Sequence, residues 1–141
     1  GRPHPAKREG QTMTTVLVAD DDPDIRDTVH DILEAEGYGV LEAQNGIEAL
    51  DLLRATSPPL VVLLDLQMPK LDGAGVLRVV AANKKLATRN RYLLMTAHMR
   101  SLPLAFAHLL FRLHILVLPK PFDVEQVVTM VADAAHTLPA Q

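Results

Sequence analysis

Five consecutive apolar residues, Leu60-Val61-Val62-Leu63-Leu64, stop at a carboxylate, Asp65, and no other stretch constrains the fold as much. A strand apolar on both faces needs cover on both, which an all-parallel α/β sheet provides. The segment Leu66-Gln67-Met68-Pro69-Lys70-Leu71-Asp72-Gly73 cannot extend it, because Pro69 and the Asp-Gly pair force a loop. In parallel sheets, ligands and chemistry gather at the carboxyl ends of the strands. Asp65 is therefore a candidate site residue, against the plainer reading of a cap for the next turn.

The rest of the chain alternates in the same way. Val16-Leu17-Val18-Ala19 is a short buried strand running into Asp20-Asp21-Asp22, with Pro23 in a first helical turn. Ile25, Val29, Ile32 and Leu33 recur at helical spacing until Gly37. Gly39–Ala43 reads as a shorter, more polar strand near a sheet edge. Asn45-Gly46 turns into a helix over 47–55 with Ile47, Leu50 and Leu53 or Leu52 inward, and Ser57-Pro58-Pro59 ends that unit. Residues 73–83 form a third helix and Arg91–Thr96 a fourth strand. Residues 102–113 are a fourth helix, apolar nearly all round. A fifth strand over 114–118 leads into Pro119-Lys120-Pro121-Phe122, and Val124, Val127, Val128, Val131, Ala134, Ala135 and Leu138 mark the last helix. Five strand–helix units predict a doubly wound α/β domain with a parallel sheet over 14–138. Residues 1–13 read as a disordered tail or expression remnant, and 139–141 as the C-terminal end.

Composition narrows the function classes. Hydrophobic content of 48% and charged content of 22% are those of a globular chain. The absence of cysteine excludes disulfides, thiol catalysis and thiolate metal sites. The net charge is −3, and Arg2, Lys7 and Arg8 in the tail leave the body more acidic, with no electrostatic footprint for nucleic acid. No apolar run is long enough to span a bilayer and no secretory signal opens the sequence, so a cytoplasmic location and no membrane contact are expected. The histidines show no metal-ligand spacing. His30 reads as a solvated helix residue, and His4 and His136 as terminal.

Four strand ends carry the chemistry: Asp20-Asp21, Asp65, Thr96 and Lys120. In a parallel sheet they emerge on one edge, where neighbouring carboxylates repel unless a cation sits among them. An all-oxygen set without His or Cys indicates a hard divalent ion, Mg²⁺ or Mn²⁺, completed by waters. A cation, a lysine and a hydroxyl around a carboxylate suit phosphoryl transfer, with the carboxylate as nucleophile.

In this order, Val16-Leu17-Val18-Ala19-Asp20-Asp21-Asp22-Pro23, Leu63-Leu64-Asp65-Leu66-Gln67-Met68-Pro69-Lys70-Leu71-Asp72-Gly73, Met95-Thr96-Ala97 and Pro119-Lys120-Pro121-Phe122 resemble the receiver domains of two-component response regulators. The resemblance implies a flavodoxin-like three-layer (βα)5 sandwich with strand order 2-1-3-4-5. It implies that Asp65 accepts a phosphoryl group from a histidine kinase or histidine phosphotransfer protein. Asp21 is then the direct metal ligand, Asp20 a ligand through water, and Gln67 a ligand through its backbone carbonyl. Thr96 matches the switch hydroxyl and Lys120 the phosphate partner, before a cis bond to Pro121. Gln67 and His98 match positions that tune the lifetime of the acyl phosphate.

The chain also departs from the pattern. Val117 stands where the family usually has an aromatic switch residue. Pro119 removes a backbone donor, which an edge strand tolerates. The fourth helix, with Phe106, Leu110 and Phe111, is unusually apolar and predicts an output face shared with the fifth strand and fifth helix. That face would serve a downstream protein, an effector domain outside this chain, or a second copy in a homodimer. Two alternatives fit some of the residues: a receiver-shaped module that is never phosphorylated, and a haloacid-dehalogenase-type phosphohydrolase with Asp20 as nucleophile.

Overall fold

A computed structural model describes residues 13–140. Residues 1–12, with His4, and Gln141 lie outside the described residues. Five strands, β1 (Thr15–Ala19), β2 (Gly39–Ala43), β3 (Leu60–Asp65), β4 (Arg91–Thr96) and β5 (Leu116–Pro119), form one parallel sheet in the order β2-β1-β3-β4-β5. All six residues of the central β3 are buried. The pleat of β3 sends Leu60, Val62 and Leu64 to one face, and Val61 and Leu63 to the other.

The first face is covered by α2 (Gly46–Ala55), α3 (Gly73–Ala81), α4 (Lys84–Arg89) and α5 (Leu104–Arg112). The second is covered by α1 (Pro23–Ala35) and α6 (Val124–His136) through Val29, Leu33, Val127 and Val131. Three layers result. Side-chain oxygens of Asp22, Asn45, Asp72, Asn83 and Asp123 cap α1, α2, α3, α4 and α6, satisfying amides that helix starts leave unpaired.

The structure departs from the sequence reading at four places. The third helix does not run through to residue 83. It stops at Ala81, and Asn83 caps a separate short α4 that buries Leu86 alone. Ile47 points outward at 47% exposure, and Ala49 takes the inward place beside Leu50 and Leu53. A short 3₁₀ turn (Met99–Ser101) precedes α5. The fifth strand starts at Leu116 rather than 114, because the chain first has to leave α5.

That exit is a Schellman motif without glycine. Ile115 N–H donates to the Leu110 carbonyl and His114 N–H to that of Phe111, with His114 held at φ 56°. A residue with a Cβ is disfavoured there, whereas glycine is at ease. His114→Gly is therefore expected to stabilise the domain by about 1 kcal/mol, after glycine's extra unfolded-state entropy is allowed for. Urea unfolding followed by far-ultraviolet circular dichroism checks it, and a loss of stability would contradict it.

α5 is also less uniform than its composition. Phe106 and Leu110, four residues apart, insert into the core at 5% exposure each. They are therefore not available as an output surface, which corrects that expectation. Phe111 remains outside at 78%, joined by Leu104 at 86% and Leu116 at 60%, while Val117 is half-buried against the core.

Candidate functional site

The carboxyl ends of β1, β3, β4 and β5 open into a crevice of about 330 Å³ lined by Asp20, Asp21, Asp22, Ile25, Asp65, Gln67, Thr96, Ala97 and Lys120. The parallel register brings them together: Ala19 pairs with Leu64, Asp65 with Met95 and Thr96 with Pro119. Asp20 is fully buried and Asp65 is 6% exposed, whereas Asp21 is open to solvent. One carboxylate oxygen from each of Asp20, Asp21 and Asp65 lies within 4.8 Å of the others.

Lys120 holds the two buried acids. Its Nζ lies 2.9 Å from Asp20 Oδ2 and 3.3 Å from Asp65 Oδ1. Burial alone would lower the lysine's pKa, but its bond to Asp20 and the charges of Asp65 and Asp20 outweigh that and raise it. Asp65 is pushed up to about 6, first by burial and then by the charge of Asp20, with Lys120 opposing both. At pH 7 it is mainly ionised, as a carboxylate nucleophile or ligand must be.

Both oxygens of Asp20 are already occupied, because Asp22 N–H donates to Oδ1 at 3.0 Å and Lys120 to Oδ2. Asp21's side chain, by contrast, has no partner among the described residues. The set fits a hard divalent cation: three carboxylates, no nitrogen or sulfur, one lysine for two buried acids, and an open side for water. Asp21 and Asp65 could give lone pairs directly, and Asp20, with an N–H on Oδ1 and Lys120 on Oδ2, could act through water.

Thr96 is 2% exposed, and its Oγ1 accepts the amide of His98 at 2.9 Å, leaving the hydroxyl proton to donate elsewhere. The backbone of Lys120 also donates to the Thr96 carbonyl at 2.8 Å. His98 is exposed and takes part in these bonds only through its backbone. The Lys120–Pro121 peptide is cis. Gly73 packs so close behind the site that a Cβ there would lie 2.5 Å from the Asp65 carbonyl, so the loop after β3 requires glycine.

One group escaped the sequence reading. Arg26 Nη1 donates to the Asp20 carbonyl at 2.8 Å and Nε to Glu42 Oε1 at 3.1 Å. His30 is not a purely solvated residue. Its Nδ1 and Nε2 each lie 3.1 Å from a carboxylate, of Glu42 and Glu34, and these outweigh burial to raise its pKa. An arginine one turn into α1 is visible in sequence, but its partner on β2 is not.

A parallel five-stranded sheet with an acidic, lysine-bridged crevice at its carboxyl edge defines a doubly wound α/β domain with a carboxylate cluster at its strand ends. The chain belongs to the response regulator receiver domain family, whose model matches residues 16–132. It is 48% identical over 63 residues to response regulator MprA of Mycobacterium sp., covering 45% of this chain and 27% of that protein. It is 35% identical over 83 residues to sporulation initiation phosphotransferase F of Bacillus subtilis, covering 59% and 64%. The matches thus span less than two thirds of these relatives. A CheY-like receiver domain of Methanospirillum hungatei superposes with a TM-score of 0.74 at 27% identity, covering 87% of this chain and 95% of that one. Chemotaxis protein CheY4 of Vibrio cholerae gives 0.71 at 25% identity, covering 87% and 99%. The fold is the one the resemblance implied, and the chain is a signalling domain of two-component systems. No helix among the described residues is long and apolar enough to cross a membrane.

Proposed function

We propose that Asp65 is the phosphoacceptor, taking a phosphoryl group from a phosphohistidine on a partner histidine kinase or histidine phosphotransfer protein. The observation that carries this reading is the Lys120 ammonium bridging Asp20 and Asp65 beside a third, unpartnered acid, Asp21. An Asp65 oxygen attacks phosphorus, the bond to the donor imidazole nitrogen breaks, and the imidazole leaves with a proton from solvent. The product is an acyl phosphate.

Asp21, Asp65, the Gln67 carbonyl and, through water, Asp20 would hold Mg²⁺ or Mn²⁺, which when bound neutralises charge on the transferring phosphoryl oxygens. Lys120 would supply a second positive charge, and the Thr96 hydroxyl would donate to a phosphoryl oxygen. Gln67, which lines the crevice, and His98, two residues after Thr96, would tune how readily water reaches the product. With both Asp20 oxygens held, a nucleophilic role for Asp20 of the phosphohydrolase kind is disfavoured.

Incubation with Mg²⁺ and acetyl phosphate is expected to add the mass of one phosphoryl group to the wild type, with peptide mapping placing it at Asp65. Chelation of the metal or Asp65→Asn should abolish it. A wild type that gains no mass would instead support an interaction module that works without phosphorylation.

The output face then lies on α5, β5 and α6, where Leu104 and Phe111 of α5 and Leu116 of β5 are exposed and Val117 is half-buried. It would meet a downstream protein, an effector domain outside this chain, or a second copy, in a cytoplasmic setting. Phe111→Asp is expected to weaken any beryllofluoride-dependent self-association in sedimentation velocity without unfolding the domain. Equal association of both proteins would rule out this face as a homodimer interface.

A further inference from the structure

We infer that Arg26 is a positioning residue for the divalent-ion site, acting through the Asp20–Asp21 peptide and held to that task by Glu42. The inference rests on the reading that Asp20, Asp21 and Asp65 hold the ion.

Every polar group of Asp20 is committed. Its N–H donates to the Ala43 carbonyl at 3.1 Å, its Oδ1 accepts Asp22 N–H, its Oδ2 accepts Lys120, and its carbonyl accepts Arg26. The carbonyl bond matters most for the metal, because a peptide unit is planar. The Asp20 carbonyl and the Asp21 amide lie in one plane, so the bond from Arg26 fixes where the Asp21 backbone starts. Asp21 is the exposed acid, and nothing among the described residues holds its side chain. Its direction therefore depends on the backbone beneath it.

Arg26 suits the task because its guanidinium donates in two directions from a planar fork. Nε is fixed by Glu42 Oε1, which leaves Nη1 aimed at the carbonyl. Glu42 reaches across from the edge strand β2, beside Val18 of β1, and its second oxygen is held by His30, itself bonded to Glu34. The Arg26 side chain as a whole is 14% exposed. Glu42 also balances the charge of the guanidinium, whose Nη1 sits on the Asp20 carbonyl. A lysine at 26 would keep the charge but lose the planar fork that fixes both bond directions at once, so it would hold the carbonyl less precisely.

The test compares wild type, Arg26→Lys, Arg26→Gln and Glu42→Gln in the unphosphorylated state. Calorimetry is expected to show Mg²⁺ affinity about tenfold weaker for both Arg26 variants, and weakened by less for Glu42→Gln, as for other groups that orient metal ligands. Amide resonances of residues 20–22 should shift before metal is added. With acetyl phosphate, the half-saturating Mg²⁺ should rise by the same factor while the rate at saturating Mg²⁺ stays within about twofold. Unchanged Mg²⁺ affinity alongside lower urea stability would overturn the proposal in favour of a purely structural arginine. Full rescue by Arg26→Lys would overturn it in favour of charge alone. If the wild type itself takes up no Mg²⁺, the reading of the site falls and this inference with it, an outcome distinct from variants that match a metal-binding wild type.

Discussion

Lys120→Met is expected to destabilise the metal-free domain by about 3 kcal/mol at pH 7, the low end for breaking a buried ion pair because the lysine side chain is 16% exposed. The substitution keeps the length and apolar stem of the side chain, so little packing is lost. What remains is Asp20, fully buried, and Asp65, 6% exposed, with no counter-charge between them. Two such carboxylates cannot both stay ionised cheaply, and they would come to share a proton. The deficit should therefore shrink as the pH is lowered toward 5, and Mg²⁺ should restore part of it at pH 7. Urea unfolding by circular dichroism, with and without Mg²⁺, measures both. A cost that is small and independent of pH would mean that the lysine does not balance the acids.

Asp65→Asn should do the opposite. The Asp65 carboxyl titrates at about 6 in the fold against 3.8 in the unfolded chain, because burial and Asp20 oppose its ionisation. Between those values the folded protein binds the proton more tightly than the unfolded chain. Stability therefore falls as pH rises from about 4 to about 6, and stays lower above that. An uncharged asparagine escapes the loss and still offers an oxygen to Lys120. In metal-free buffer the variant is expected to be more stable than wild type at pH 7 by on the order of 3 kcal/mol, the difference between about 6 and 3.8 at 1.36 kcal/mol per pKa unit. The advantage should vanish below pH 4. No gain at pH 7, or the same gain at pH 4, would refute it. Because Asp65 touches Lys120, the two substitutions should not add: Asp65→Asn is expected to offset part of the cost of Lys120→Met.

The two expectations share a cause. The site holds three acids against one lysine, so the metal-free fold carries an electrostatic cost that a cation or a substitution can remove. Such a cost is common where ionisable groups are buried for chemistry.

Much of this was legible in the chain itself. The apolar run of β3 ending at Asp65, the acids after β1, Thr96 closing β4 and the Lys-Pro after β5 lie where an alternating pattern places strand ends. Strand-end position is enough to gather them, because parallel strands send all their carboxyl ends to one edge. Less legible were the features set by local backbone competition. The third helix broke at Ala81 because Asn83 could cap a new one, and β5 began late because His114 has to leave α5 in a left-handed conformation. Apolar composition also misled at α5, where it could not say which residues face inward.

By itself the sequence determined the layered α/β plan and the identity of the residues at the crevice, since periodicity and strand ends are local properties of the chain. Only the tertiary structure decided that Lys120 spans Asp20 and Asp65, that Asp21 is the exposed one of the three clustered acids, and that Arg26 reaches the Asp20 carbonyl under the hold of Glu42. Those contacts join residues up to a hundred positions apart, and distances of about 3 Å between them are set by how helices and sheet pack, which no spacing along the chain encodes.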